Sequence, residues 1–301
     1  MAYFHFKIEE GESIRLDKFL AEKLPQFSRS FLAKCALLVN AKSAKPAQKV
    51  GVGDLVEVKV PRLKELKIEP EKIPLEVLFE DSALLVVNKK SGMVVHPTDH
   101  GGHVSGTLVN AVLGHLGKKA SAELRPGIVH RLDRETSGCI VIAKTAAAKT
   151  FLAREFAERR VEKIYLALAA GKIKTPRGRI DAPLGRDPAD PTRRRISTAA
   201  DARDAITEFE ILENLVEATL LKIKLLTGRT HQIRVHLQSI GHPILGDPVY
   251  GSKKINQKFG APRLFLHAEQ LKFIHPTTKK LVEFHAPLPD DLAKFLKNLK
   301  R

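Results

Sequence analysis

Apolar residues recur along this chain with two different periods. Near the N-terminus Ile14, Leu16, Phe19, Leu20 and Leu24 repeat at helical spacing, which predicts a helix stopped by Pro25. Ser28 is placed to cap a second helix carrying Phe31, Leu32 and Cys35. Two short β-like runs follow, Leu37–Asn40 and Leu55–Val60, the second led by the turn Gly51-Val52-Gly53-Asp54. Together these predict a small α+β domain over residues 13–62.

The next stretch, PRLKELKIEPEKIPL, holds three prolines and alternating charges and reads as a linker, assigned to residues 63–75. Beyond it, residues 76–301 form the larger domain. Alternating and short apolar runs predict strands at Glu76–Phe79, Leu84–Asn88, Met93–Val95, Ile128–Leu132, Cys139–Ala143, Lys163–Ala169, Ile206–Leu212, Ala218–Leu225 and Leu281–His285. Helical patterns are confined to Gly106–Leu116, Ala146–Glu158 and the segment after Thr230. Many strands, short turns and few helices predict an α+β fold whose larger domain is a mixed, mainly antiparallel sheet flanked by helices.

Composition narrows the class. With 43% hydrophobic residues in 301, the chain has enough apolar mass for ordinary packed cores. Its formal net charge of +17 points to a polyanionic partner, nucleic acid before acidic membrane. The basic residues are spread along the chain, which favours a basic groove over a disordered arm. Cys35 and Cys139 stand far apart, so neither a disulfide framework nor a cysteine-rich zinc site is expected, and a reducing compartment fits. The N-terminus shows no signal peptide, and no apolar run approaches bilayer-spanning length, so a soluble, cytoplasmic protein is expected.

The chemistry concentrates in Gly127-Ile128-Val129-His130-Arg131-Leu132-Asp133-Arg134-Glu135-Thr136-Ser137-Gly138. It sets one carboxylate, Asp133, between two arginines on a polar turn between apolar runs. Neighbouring arginines favour the ionised carboxylate, available as a nucleophile or electrostatic stabiliser and a poor proton donor. On these residues alone, Asp133 reads first as a surface turn residue paired with Arg131 or Arg134. Arg134 reads as solvated charge. A second polar segment, Thr227-Gly228-Arg229-Thr230-His231-Gln232-Ile233-Arg234-Val235-His236-Leu237, reads as a strand end, a glycine turn and a helix start, where anions are favoured. His231 and His236 are five apart and do not share a helical face, and no metal site is expected. No phosphate-loop motif exists, so nucleotide-cofactor chemistry is unsupported.

The string His-Arg-Leu-Asp-x-x-Thr-Ser-Gly at 130–138 resembles the signature of the RluA-type pseudouridine synthases at every signature position. The likeness continues through Leu85–Pro97, Thr107–Asn110, the segment Arg159-Arg160-Val161-Glu162-Lys163-Ile164-Tyr165-Leu166-Ala167, the Thr227–Leu237 segment, Gly241–Gly251, His267-Ala268 and His275-Pro276. It spans roughly residues 13 to 295. The resemblance implies an isomerase that converts RNA uridine to pseudouridine without cofactor or metal. It implies Asp133 as the catalytic carboxylate, Tyr165 packed against the target base, and Arg234 as the partner of Asp133, with Arg229 the lesser candidate. Arg131 resembles the residue that helps extrude the base, and His130, Thr136 and Arg229 join it as substrate-binding residues.

The order Arg-Leu-Asp-Lys-Phe-Leu, Ser-Arg-Ser, Val-Asn, Lys-Pro, Gly-Asp in the small domain resembles the alpha-L RNA-binding domain shared with a ribosomal small-subunit protein. That likeness implies RNA contacts by Arg15, Lys18, Arg29 and Lys34, although these positions alone fit an ordinary solvated face equally well. Asn40 is followed by Ala41 where glycine is usual, so a longer or differently shaped hairpin is expected. The domain arrangement is most like the RluD- and RluC-like synthases of large-subunit (23S) ribosomal RNA, which implies ribosomal RNA or a pre-ribosomal particle as partner. Charge and the small domain alone fit a non-catalytic RNA-binding or ribosome-assembly protein as well. The set Asp133, Tyr165 and Arg234 is what separates the two.

Overall fold

The computed structural model describes residues 2–25, 27, 29–60, 68–97, 105–117 and 127–299. The chain divides into two compact units, Met1–Lys67 and Ile68–Arg301.

The small unit runs β1 (Ala2–Lys7), β2 (Ile14–Arg15), α1 (Leu16–Lys23), α2 (Arg29–Leu32), β3 (Ala36–Val39), β4 (Lys42–Ser43), β5 (Lys49–Val50) and β6 (Leu55–Val60). Its sheet order is β1-β6-β3-β4, with β2 and β5 forming a separate pair. The helical spacing read from Leu16, Phe19 and Leu20 is realised, since all three are buried in α1 against Val50, Val56 and Val58. The unit begins earlier than residue 13, because Phe4 and Phe6 on alternate positions of β1 pack onto the core while β1 pairs along the whole of β6. Ser28 lies outside the described residues.

The expected loosening of the hairpin after Val39 does not occur. Val39 pairs Lys42 directly, so Asn40 and Ala41 form a two-residue turn, and Ala41 takes the left-handed φ of 62°. The turn is clamped from outside it: Asn40 donates to Asp54 at 2.8 Å and accepts from the Leu55 amide at 2.9 Å. Those bonds, with the β3–β6 register, impose the tight geometry on alanine.

The large unit contains β7 (Glu76–Glu80), β8 (Leu84–Lys89), α3 (Leu108–Leu116), β9 (Gly127–Ile128), β10 (Ser137–Ala143), α4 (Ala146–Ala157) and β11 (Glu162–Ala170). There follow β12 (Arg177–Asp181), β13 (Leu184–Arg186), β14 (Arg194–Ile196), β15 (Ile206–Asn214), β16 (Ala218–Leu225), α5 (Gln232–Ser239), α6 (Lys253–Phe259), β17 (Leu266–Ile274), β18 (Leu281–His285) and α7 (Asp290–Leu299). The main sheet runs β12-β15-β16-β11-β17-β10-β8-β7, with β18 also on β17 and β9 also on β10. It is mixed and mainly antiparallel, the parallel exception being β10 against β17. Strands β8 and β10 are buried at every position because helices cover both faces. Ile140 and Ile142 face the cluster with α3, α5 and α7, while Val141 and Ala143 face the cluster with α4.

Some predicted elements take other forms. Met93–Val95 is no strand, since the Val94 and Val95 carbonyls accept the first amides of α3. The run Ile128–Leu132 leaves the ladder at Ile128, and two residues on the His130 ring accepts the Val141 amide in place of a backbone carbonyl. Residues 69–71, placed by composition in the linker, are fastened to α3: Glu69 accepts from Asn110, and Glu71 from Gly106. The boundary therefore falls before Ile68, because the Glu69 carbonyl and the Glu71 carboxylate are used by the large unit.

Candidate active site

Asp133 sits on the connection from β9 to β10, and its backbone carbonyl accepts the Thr136 amide at 3.2 Å. The residues after it seat the turn. Gly138 has φ 118°, and a Cβ there would lie 2.2 Å from the Ala268 carbonyl oxygen, so glycine alone permits β10 to lie against β17. Ser137 shares a hydrogen bond of 2.9 Å with His267 on β17. From the other side the loop after β8 grips the turn. The Gly92 amide donates to the Arg134 carbonyl, and the Ser91 hydroxyl to the Glu135 carbonyl. Lys89, 1% exposed, donates to the carbonyls of Lys90, Met93 and Arg134 at 2.9, 2.9 and 3.1 Å. Burial pushes its pKa down to about 7, against the pull of the Asp133 and Glu135 charges.

Arg234 reaches this turn from α5. Its guanidinium is 1% exposed and is held by fully buried Asp247, with Nε donating at 2.7 Å and Nη2 at 2.8 Å. The remaining Nη1 lies 3.7 Å from Asp133 Oδ2. Asp247 is fixed in turn by the amides of Val249 and Tyr250. The Tyr250 ring lies 5.1 Å from the Arg234 guanidinium, and its hydroxyl accepts the Arg194 amide and pairs with His231. His231, at φ 59°, begins α5 in a left-handed conformation that a non-glycine residue rarely adopts. Arg234 is therefore aimed at Asp133 by a buried scaffold.

Asp133 and Arg234 open onto a cleft of about 520 Å3 that also meets Arg131, Thr136, Tyr165 and Arg229. Tyr165 is 7% exposed and stands where the β11–β17 register shifts, an irregularity of the kind that re-aims side chains beside sites. Burial, and then the Asp133 charge, raise its pKa, which keeps the phenol neutral. Asp133 is the one carboxylate among the described residues lining the cleft; Arg131, Arg159, Lys163, Arg229 and Arg234 are its cations.

The structure brings Asp133, Tyr165, Arg234, Arg131, Arg229, His130 and Thr136 to one cleft. Several do other work as well. The His130 ring accepts the Val141 amide at 3.0 Å and stacks on Phe156, and burial pushes its pKa down to about 3, so it is a neutral strand anchor. Gln232 turns inward from the start of α5 and ties it to Thr227, Ile206 and Thr207. His236 bonds Thr207 and the Ala182 carbonyl, so the two histidines of this helix serve separate contacts. Arg229 donates to the Asp204 carbonyl at 3.0 Å. Arg134, read as solvated, donates to the Gly92 carbonyl.

In the small unit, Arg15 and Arg29 converge on Asp17 at 3.0 and 2.7 Å, and the Arg15 bond leads in lowering the Asp17 pKa to about 2. Lys18 and Lys34 are exposed without an ion pair among the described residues. Sequence reading missed Lys89, Asp247, Tyr250, Arg159 and Lys163. Asp247 and Tyr250 lie within the string Gly241–Gly251, and Arg159 and Lys163 in the segment of Tyr165, where the sequence alone gives these four residues no role.

Residues 83–239 match the sequence profile of the family described as RNA pseudouridylate synthase. An uncharacterised RNA pseudouridine synthase of Bacillus subtilis is 41% identical over 97% of this chain and 96% of its own length. A protein of Nitrosomonas europaea named ribosomal large subunit pseudouridine synthase D is 42% identical over 95% of this chain and 85% of its own. Among solved structures, human RNA pseudouridylate synthase domain containing 1 superposes with a TM-score of 0.59 at 30% identity, covering 73% of this chain and 85% of that one.

Proposed function

This chain belongs to the RNA pseudouridylate synthase family, and we propose that it isomerises specific uridines of large-subunit (23S) ribosomal RNA with Asp133 as the catalytic carboxylate. The enzyme is an isomerase acting on RNA uridine. Its reaction breaks the bond between uracil nitrogen and the sugar and joins the same base through carbon, so no atoms enter or leave between substrate and product. The observation that carries the residue assignment is the 3.7 Å approach of Arg234 Nη1 to Asp133 in a cleft that holds no other carboxylate among its described residues.

The target base must leave its stack to reach such a cleft. Arg131, exposed at the cleft and without an ion pair among the described residues, is suited to fill the vacated space. Tyr165 offers a ring face for the detached uracil, and stacking of this kind contributes about 1–3 kcal/mol per base. Arg234 lies 3.7 Å from the Asp133 carboxylate and fixes its place near the sugar carbon or the ring, where carboxylates stand at anomeric centres in glycosidases. Thr136 and Arg229 line the same space. The small unit adds phosphate contacts through Lys18, Lys34 and the outer faces of Arg15 and Arg29.

Support for the ribosomal target is the similarity, at 39–42% identity over 95–97% of this chain, to proteins named ribosomal large subunit pseudouridine synthase D. A cytoplasmic location on ribosomal RNA or a pre-ribosomal particle follows from that reading; no helix among the described residues is long and apolar enough to cross a membrane. The test is incubation with 23S ribosomal RNA transcripts followed by chemical mapping of pseudouridine. Sites should appear with the wild-type protein and vanish with Asp133→Ala. Full activity in Asp133→Ala would overturn the residue assignment, and binding without any conversion would favour a ribosome-assembly role.

A further inference from the structure

Three cations on the cleft wall have no ion pair among the described residues, and for two of them the reason is traceable. Arg159 and Lys163 each have a glutamate as the preceding residue, and both glutamates are engaged elsewhere. Glu158 pairs with Arg160, which also takes Glu155, and Glu162 pairs with Lys224 at 2.9 Å. Neither Arg159 nor Lys163 has an ion pair among the described residues, and both line the cleft. Arg229 joins them there, its guanidinium meeting a carbonyl oxygen and, among the described residues, no carboxylate within ion-pair distance. Burial and then the Arg159 charge push the Lys163 pKa down to about 8; burial, then Arg203 and Arg159, lower that of Arg229 against the opposing pull of Asp204.

The backbone gives a second observation. Arg159 follows the end of α4 with φ 59°, the position where helices favour glycine. The Arg160 amide reaches back to the Glu155 carbonyl at 2.9 Å, which fixes that conformation. An arginine is thus held in a strained conformation beside like charges, whose repulsion an anion placed there would offset.

We propose that Arg159, Lys163 and Arg229 form a phosphate-binding subsite on the wall of the Asp133 cleft, which takes an RNA phosphodiester adjoining the bound uridine. This rests on the uridine reading of the cleft. A phosphodiester supplies the missing negative charge and carries no base identity, so the subsite sets affinity and registers the strand without choosing the sequence.

The experiment measures binding of a 23S ribosomal RNA transcript over a potassium chloride series. Arg159→Gly relieves the positive φ and removes one cation, so it should melt no lower than wild type. Its plot of log affinity against log salt should be shallower by about 0.8, and that of Arg159→Gly/Lys163→Gln by about 1.6. Arg159→Lys/Lys163→Arg keeps the charge and should keep the wild-type slope. The weakening should be the same on unrelated RNA sequences, with KM raised more than kcat is lowered. A well-folded Arg159→Gly/Lys163→Gln protein with wild-type slope and affinity overturns the subsite. If wild type converts no uridine yet the slopes change as stated, the uridine reading fails and the phosphate contact stands.

Discussion

Arg234 gives two of its guanidinium nitrogens to Asp247, at 2.7 and 2.8 Å, and leaves only the third facing Asp133, at 3.7 Å. The tighter pair is the one remote from the cleft, so Asp247 acts as the positioning residue that decides where the guanidinium points. Asp247→Asn should leave a buried, undercompensated arginine and destabilise the large unit by about 3–5 kcal/mol, read from urea unfolding. Turnover should fall as well. Arg234→Met/Asp247→Leu should recover part of the stability, the Val249 and Tyr250 amides being left unpaired, and none of the activity. Wild-type stability in Asp247→Asn would show that the buried pair does not hold the helix.

Lys89 grips the Asp133 turn through three carbonyls, and its folded pKa of about 7 lies below the ordinary lysine value. The unfolded chain therefore holds more protons than the folded one between about pH 7 and about 10.4. In that window stability rises with pH, by at most about 1.4 kcal/mol per unit. Between pH 7 and 9, wild type should gain about 2 kcal/mol relative to Lys89→Met, the full penalty of the buried ammonium remaining below pH 7. Parallel stability curves for the two proteins would contradict the assignment. Lys89→Met should also lower turnover, because the Arg134 carbonyl beside Asp133 loses a donor.

Much of the site was legible as a string, because His130 to Gly138 packs structural and chemical needs into nine consecutive positions. Gly138 is there for the approach of Ala268, Ser137 for His267 and Asp133 for the cleft. The ion-pair economy was not legible. Nothing in sequence says that Glu158 faces Arg160, or that Asp247 takes most of Arg234, since those choices depend on where helices end and loops return. Strand β17 escaped for a related reason. Leu266, Ala268, Leu271 and Phe273 are buried, but His267 is buried too, so the run never shows a clean period of two. At Met93–Val95 the opposite happened: the apolar residues suggested a strand, and the backbone served as acceptor for a helix start.

Ala41 offers a stability test in the small unit. It holds φ 62° in a two-residue turn, where an L side chain costs on the order of 1 kcal/mol relative to glycine. Ala41→Gly should therefore raise the unfolding free energy of this unit by roughly that amount, less a few tenths for the added freedom of the unfolded chain. Circular dichroism of the isolated segment is unnecessary, since the full chain in a urea titration reports the change in the transition of the small unit. A lower midpoint would mean that the turn is wider in solution than the Val39–Lys42 pairing requires.

Tyr165 joins packing and chemistry at one ring, and the two separate by substitution. The ring is 7% exposed within the core of the large unit, yet it also meets the cleft that contains Asp133. Tyr165→Phe keeps the face for stacking and the volume for packing, so stability should change by less than about 1 kcal/mol and RNA affinity should hold. If the ring is a stacking platform alone, turnover in Tyr165→Phe should remain near wild type. If the neutral hydroxyl moves a proton, turnover should fall by a factor of about 100 or more while binding holds. Tyr165→Leu removes the aromatic face and should lose both affinity and rate, with about 1–3 kcal/mol of base stacking gone. Single-turnover pseudouridine formation, measured with both variants beside urea unfolding, distinguishes these outcomes. A Tyr165→Leu protein that is folded and as active as wild type would remove the ring from the site altogether.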